Sequence, residues 1–333
     1  MNLITGVTGL VGSHIALRLI ENGEAVRALY RTSEGIAKTK ALFDLYKKSE
    51  LFHKIQWIQG DITVIPTLEK AFENIENVYH CAAFISFDPK EESKIRKINI
   101  EGTANVVNFS IENNIKKFCF ISSIAALGDK KPGEIYISET NEWNPEKPHS
   151  DYAISKYGAE MEVWRGQNEG LNVVILNPGV ILGPGFWEQG SGVIFNKTFA
   201  GYRLFTKGTT GFVAVIDVVA IAILLMKKEC FGERFVVVSE NLTFRAIQNW
   251  ISDALNEKNP PIYISKWVCS IAVRLDWIAS VFFFQKRRLS SDGMRSINRK
   301  NKFSNSKIIE FTNFKFQVIK PAIETINALQ KQK

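Results

Sequence analysis

The chain has 333 residues, 45% hydrophobic and 23% charged, the composition of an ordinary globular protein with room for a large core in one or two domains. Its four cysteines and four histidines are scattered without ligand spacing, which argues against a metal site and for core cysteines in a reducing, cytoplasmic setting. The formal net charge is +8, and between residues 286 and 302 seven Lys and Arg stand against one acid, Asp292; no recognition motif accompanies them, so nucleic acid is not an expected partner.

In chain order, residues 2–4 read as a short apolar strand, so no signal peptide is expected. It runs into Thr5-Gly6-Val7-Thr8-Gly9-Leu10-Val11-Gly12 and then an amphipathic helix over 12–21. Strand, glycine turn and helix N-terminus form the geometry that holds a pyrophosphate. Gly6 permits the sharp turn, Gly9 lets backbone approach phosphate, and Gly12 lets helix pack on strand.

Further strands are expected at 25–30, 55–59, 77–81, 117–122 and 173–177, with helices at 36–48, 65–72, 95–112 and 152–168. Such alternation predicts a parallel sheet with helices on both faces and right-handed crossovers. After Asn177-Pro178-Gly179 the texture changes. Residues 211–216, a helix near 218–226, a strand at 234–238 and a helix at 243–255 predict a smaller cap that forms a cleft against the carboxyl edge of the sheet. The 18 residues from Trp267 to Phe284 are strongly apolar, but Arg274 and Asp276 in their middle argue against a membrane span. A buried cap or dimer helix is favoured there over peripheral membrane contact through residues 267–288.

Tyr152 and Lys156 lie four apart on an expected helix and so share a face. An ammonium beside a phenol stabilises the phenolate, which makes Tyr152 a candidate general acid/base for a carbonyl or hydroxyl.

In this order of motifs the chain resembles the extended short-chain dehydrogenase/reductases, the NAD-dependent epimerase/dehydratase superfamily. The matching residues are Gly6, Gly9 and Gly12; Gly60-Asp61-Ile62; His80-Cys81-Ala82-Ala83; Asn99 with Gly102-Thr103; Ile121-Ser122-Ser123; Tyr152 and Lys156; and Asn177-Pro178-Gly179. The resemblance covers nearly the whole chain. It implies a Rossmann-type doubly wound α/β sheet, formed by residues 1–178 with returning segments near 212–240. A substrate cap would come from 179–211 and 241–333.

The resemblance makes Ser123, Tyr152 and Lys156 the catalytic residues, with Ser122 the competing serine. It implies that Gly6, Thr8, Gly9, Leu10, Val11 and Gly12 meet the cofactor phosphates and that Asp61 and Ile62 meet the adenine. Ala82 and Ala83 would line the cofactor's path, Pro178 the nicotinamide turn, and Lys156 the nicotinamide ribose. Asn99 is either structural or part of a proton relay. The second strand ends in Arg31 rather than an acid, where plant dihydroflavonol reductases carry an arginine for the 2′-phosphate. NADP(H) is therefore favoured over NAD(H).

Within the family the chain is similar to the dihydroflavonol reductase and 3β-hydroxysteroid dehydrogenase-like branch and to hopanoid-associated sugar epimerase-like proteins. The implied activity is hydride transfer to or from a secondary alcohol or carbonyl. The alternatives are an NAD-dependent nucleotide-sugar epimerase and, ranking last, a non-catalytic NADP-sensing protein. Ile124 and Ala125 follow Ser123 where dehydratases need an acid pair, which argues against a sugar dehydratase. Ala214 and Ile216 depart from the polar residues usual beside Asp217. A homodimer through residues 95–112 and 152–168 is implied by the resemblance alone.

Overall fold

The computed structural model describes residues 1–86, 88–201, 204–265, 267–271, 273–274, 276 and 291–331. Most of the apolar stretch 267–288 therefore lies outside the described residues. Among the described residues, no helix is long and apolar enough to cross a membrane.

The first half alternates strand and helix: β1 (Asn2–Thr5), α1 (Leu10–Glu21), β2 (Val26–Tyr30), α2 (Ser33–Leu45), β3 (Ile55–Gln59), α3 (Pro66–Phe72), β4 (Asn77–His80), α4 (Glu92–Arg96), α5 (Gly102–Glu112), β5 (Lys117–Ile121), α6 (Asp151–Asn168) and β6 (Val173–Pro178). One parallel sheet takes these strands in the order β10-β6-β5-β4-β1-β2-β3, with β10 (Glu233–Val237) returning late in the chain to pair with β6. This is the doubly wound Rossmann arrangement that the strand–helix alternation predicts.

The pleat explains the two cores. Successive strand side chains point to opposite faces. Ile4, Cys119, Ile121, Val174 and Leu176 pack with Ile15 and Leu19 of α1 and with Val218 and Ile221 of α8 (Val215–Lys228). Their neighbours Leu3, Phe118, Phe120, Val173 and Ile175 pack on the other face with Val106 and Val107 of α5 and Ala159 and Val163 of α6. Truncating a wholly buried ring such as Phe118 removes about 3–5 kcal/mol.

A third cluster lies outside the sheet. It joins Leu182 of β7 (Val180–Leu182), Phe195 of α7 (Gly192–Phe199) and, past the short β8 (Leu204–Phe205), Phe212 of β9 (Thr209–Ala214). Ile247 and Ile251 of α9 (Phe244–Leu255), and Ile319, Ile323 and Ile326 of the C-terminal helix, complete it. A small sheet, β7-β9 with antiparallel β11 (Glu240–Thr243), links this layer to the carboxyl edge of the large one.

The helix expected at 95–112 is two helices joined by a π-helical turn at Lys97–Glu101, which carries Asn99. The Asn99 side chain explains the break. Its amide bonds the Phe84 carbonyl (2.9 Å) and Ser155 Oγ (2.9 Å), and its oxygen accepts from the Phe84 N–H (2.7 Å). Both ends of the amide are thus engaged in tying the loop after β4 to α6.

Candidate active site

β1 ends at the glycine turn. Gly6 has φ +68°, and a Cβ there would lie 2.6 Å from the Ala82 nitrogen, so neither the conformation nor the space admits another residue. The Gly9 N–H closes the turn on the Gly6 carbonyl at 3.0 Å. A Cβ on Gly12 would fall 2.4 Å from that carbonyl oxygen, so α1 packs directly on the turn. Gly9 differs: a Cβ there would meet only Gly6 O, at 3.4 Å. That position opens onto free space.

α1 starts at Leu10 with neither a side-chain cap nor an acid in its first turn. The first N–H groups of any helix lack intrahelical partners and carry the positive end of its dipole. A pyrophosphate fits this cradle over Gly9, against the N–H groups of Leu10, Val11 and Gly12. The loop is held from outside by α2. Thr39 Oγ1 donates to the Val7 carbonyl (3.2 Å), and a Cβ on Gly35 would strike the Thr8 methyl at 2.7 Å.

At the ends of β2 and β3, the exposed Arg31 guanidinium lies 3.8 Å from Asp61. The Asp61 Oδ1 accepts from Thr63 N and Oγ1, each at 2.8 Å. Ile62 is buried under Gly102, and its carbonyl accepts from Asn105 (2.9 Å). Ala82 and Ala83 follow β4, with the Ala82 N–H donating to Thr5 Oγ1 at 3.3 Å. Pro178 is buried at the end of β6, opposite Val237.

His80, wholly buried, links these pieces. Its Nδ1 meets Thr5 Oγ1 at 2.6 Å and its Nε2 meets Thr103 Oγ1 at 2.9 Å. Thr103 gives its proton to the Asn99 carbonyl (2.6 Å), so it must accept from Nε2–H; Nδ1 then accepts from Thr5. Burial, reinforced by the Lys156 charge, pushes His80 down to about 3, which keeps the ring neutral.

α6 opens with Ser150 as its cap, Oγ accepting from Ala153 N at 3.2 Å. That fixes the first turn, which carries Tyr152. The Ser123 hydroxyl pairs with the Tyr152 phenol and favours its ionised form. Ser123 Oγ itself accepts from Ala125 N (3.1 Å). Ser122 points elsewhere, donating to Glu160 at 2.7 Å. The geometry therefore separates the two serines. One turn along α6, Lys156 is buried; its Nζ donates to the Ile121 carbonyl (2.8 Å) and sits 4.5 Å over the Phe120 ring. Burial pushes Lys156 down to about 8, against the opposing effect of Glu160, and burial raises Tyr152 against the Ser123 hydrogen bond. Burial thus outweighs the help that the Ser123 hydroxyl gives the phenolate.

Sequence reasoning missed Glu160 and Arg234. Glu160 is fully buried and bonds Arg234 of β10 at 2.8 Å. Its other oxygen accepts from Ser122 and from Asn177 Nδ2 (2.8 Å). The available signal was the fourfold spacing, since Tyr152, Lys156 and Glu160 fall on one helix face. The arginine partner arrives on a strand distant in sequence and has no such signal.

Residues 2–237 match the NAD dependent epimerase/dehydratase family. The chain belongs to that family. It is therefore an enzyme of the NAD-dependent oxidoreductase or epimerase kind. It is 27% identical over 305 residues to the sterol demethylase protein B of Methylococcus capsulatus, covering 89% of this chain and 88% of that one. It is 27% identical over 274 residues to a putative dihydroflavonol 4-reductase of Synechocystis, covering 80% and 75%. A UDP-glucose 4-epimerase of Vibrio cholerae is 31% identical over 189 residues, 55% of this chain and 52% of that one. The crystal structure of gox2253 superposes with a TM-score of 0.81 at 24% identity, covering 100% of this chain and 98% of that one. The Thermotoga maritima UDP-glucose 4-epimerase with UDP-glucose gives 0.77 at 22%, covering 100% and 99%. These two likenesses establish the fold.

Proposed function

We propose that the protein is an NADP(H)-dependent oxidoreductase acting on a secondary alcohol or carbonyl. The observation that carries this reading is the pairing of Tyr152 with Ser123, one helical turn from the buried Lys156. The bound nicotinamide would give or take the hydride. Tyr152 would give its phenolic proton to the substrate oxygen in reduction and recover it in oxidation. Ser123 would hold that oxygen beside Tyr152, and Lys156 would favour the phenolate by its charge. Asp61 and the backbone at Ile62, Ala82, Ala83 and Pro178 would hold the adenine and nicotinamide ends of the cofactor. Arg31 would clamp the 2′-phosphate, a role its exposure at the end of β2 supports. The similarity to a putative dihydroflavonol 4-reductase supports a ketone or alcohol substrate. A cytoplasmic homodimer is part of the same reading.

The test is NADPH consumption on a panel of hydrophobic ketones, with Tyr152→Phe as control. Turnover in the parent and its loss in the variant support the reading.

A nucleotide-sugar epimerase is the second reading, favoured by the 31% identity to the Vibrio cholerae UDP-glucose 4-epimerase. It would return the hydride to the same substrate. Purified protein carrying one tightly bound NAD per chain, with no net turnover of added cofactor, would select it.

A further inference from the structure

We propose that Glu160 is a positioning residue for this site: it sets the Ser123 end of β5 and keeps Lys156 charged, while itself touching neither substrate nor cofactor. The inference rests on the hydride-transfer reading above.

Glu160 lies at the meeting point of three strands. Its Oε2 accepts from Ser122 at the end of β5 and from Asn177 at the end of β6, and its Oε1 accepts from Arg234 of β10. Three donors on two oxygens is the pattern an ionised carboxylate takes. Asn177 Nδ2 also donates to the Ser123 carbonyl at 3.0 Å. The carboxylate thus governs the backbone on both sides of the Ser123 hydroxyl, through Ser122 before it and through Asn177 beneath it. Arg234 is anchored in turn, its Nε donating to the Glu139 carbonyl at 3.1 Å.

The second effect is electrostatic. The groups around Lys156 are Tyr152 and Glu160 on its own helix and His80 and Cys81 at the end of β4. His80 is held neutral, and burial pushes the Cys81 thiol up to about 12. Burial likewise keeps the Tyr152 phenol protonated. Among these described groups Glu160 supplies the negative charge that supports an ammonium in a buried setting. It does so through space, because the Lys156 Nζ hydrogen bond goes to Ile121.

The test is the titration of Lys156 in the full chain, followed by NMR on protein carrying carbon-13-labelled lysine, with Lys156→Met to assign the signal. In Glu160→Gln the midpoint moves to lower pH. A tenfold weakening of proton binding would take the charged fraction at pH 8 from about half to about one tenth. Breaking one half of a buried ion pair can unfold a protein. The double variant Glu160→Gln with Arg234→Gln removes both charges, and it too titrates at lower pH. An unmoved midpoint in a folded variant overturns the inference. This readout needs no substrate, so a failed ketone assay would sink the hydride-transfer reading and leave the titration result standing.

Discussion

The Ser123 hydroxyl is paired with the Tyr152 phenol, while the adjacent Ser122 is committed to Glu160. Adjacent residues at the end of a strand point to opposite sides, so only one of the two serines can face the tyrosine. Ser123→Ala should therefore lower kcat about 10²-fold or more with little change in melting temperature. Ser122→Ala should leave a buried carboxylate short of a donor and lower stability by about 1–3 kcal/mol. Parallel turnover and thermal-melt measurements on the two variants check the assignment; equal losses of turnover would contradict it.

The glycine loop gives a second contrast. A methyl on Gly12 collides with the Gly6 carbonyl, whereas one on Gly9 points into open space. Gly12→Ala should lose about 1–3 kcal/mol of stability along with cofactor binding. Gly9→Ala should melt like the parent and still bind cofactor poorly, because the methyl occupies the phosphate position. Calorimetry paired with NADPH titration separates these outcomes.

Arg31 tests cofactor choice. If its guanidinium meets a 2′-phosphate, Arg31→Ala should weaken NADPH binding about 10- to 100-fold, the value of a charge-assisted pair. NADH binding should hardly change. Equal effects on both cofactors would show that Arg31 serves only its exposed ion pair with Asp61.

Acid stability follows from two buried histidines. Burial pushes His80 down to about 3 and His14 to about 4, both below the ordinary 6.5. The unfolded chain then binds more protons than the folded one at any pH between those values and 6.5. The stability each contributes is present above pH 6.5 and drains away as pH falls through that window, at up to about 1.4 kcal/mol per pH unit per histidine. Melting temperature against pH should fall more gently below pH 6.5 in His14→Gln, which keeps a polar group near the Leu10 carbonyl and Tyr46. An unchanged slope would contradict the burial argument.

The sheet was legible from the sequence because a parallel sheet needs short apolar runs with helices between them, and each core strand here supplies one. The loop was legible because Gly6 is set by its own backbone turn and Gly12 by contacts with Gly6 and Val7, five to six residues away, within one strand–turn–helix unit. The π-turn at Asn99 was not, since its cause is a side chain bonding to Phe84 and Ser155, whose positions the sheet sets. The Tyr152–Lys156 pair could be read from helical spacing, but its electrostatics could not. Burial is a tertiary quantity, and here it raises Tyr152 and lowers Lys156. Likewise the choice between Ser122 and Ser123 depended on the pleat at the strand end, and Arg234 on a strand that joins the sheet 55 residues after β6 ends.

The most direct test of the central claim is turnover and cofactor binding in Tyr152→Phe. Phenylalanine keeps the ring and removes only the hydroxyl that meets Ser123. The account predicts that NADPH binds with near-parental affinity while ketone reduction falls by at least about 10²-fold, the contribution of a positioned general acid. Parental turnover in this variant would contradict it.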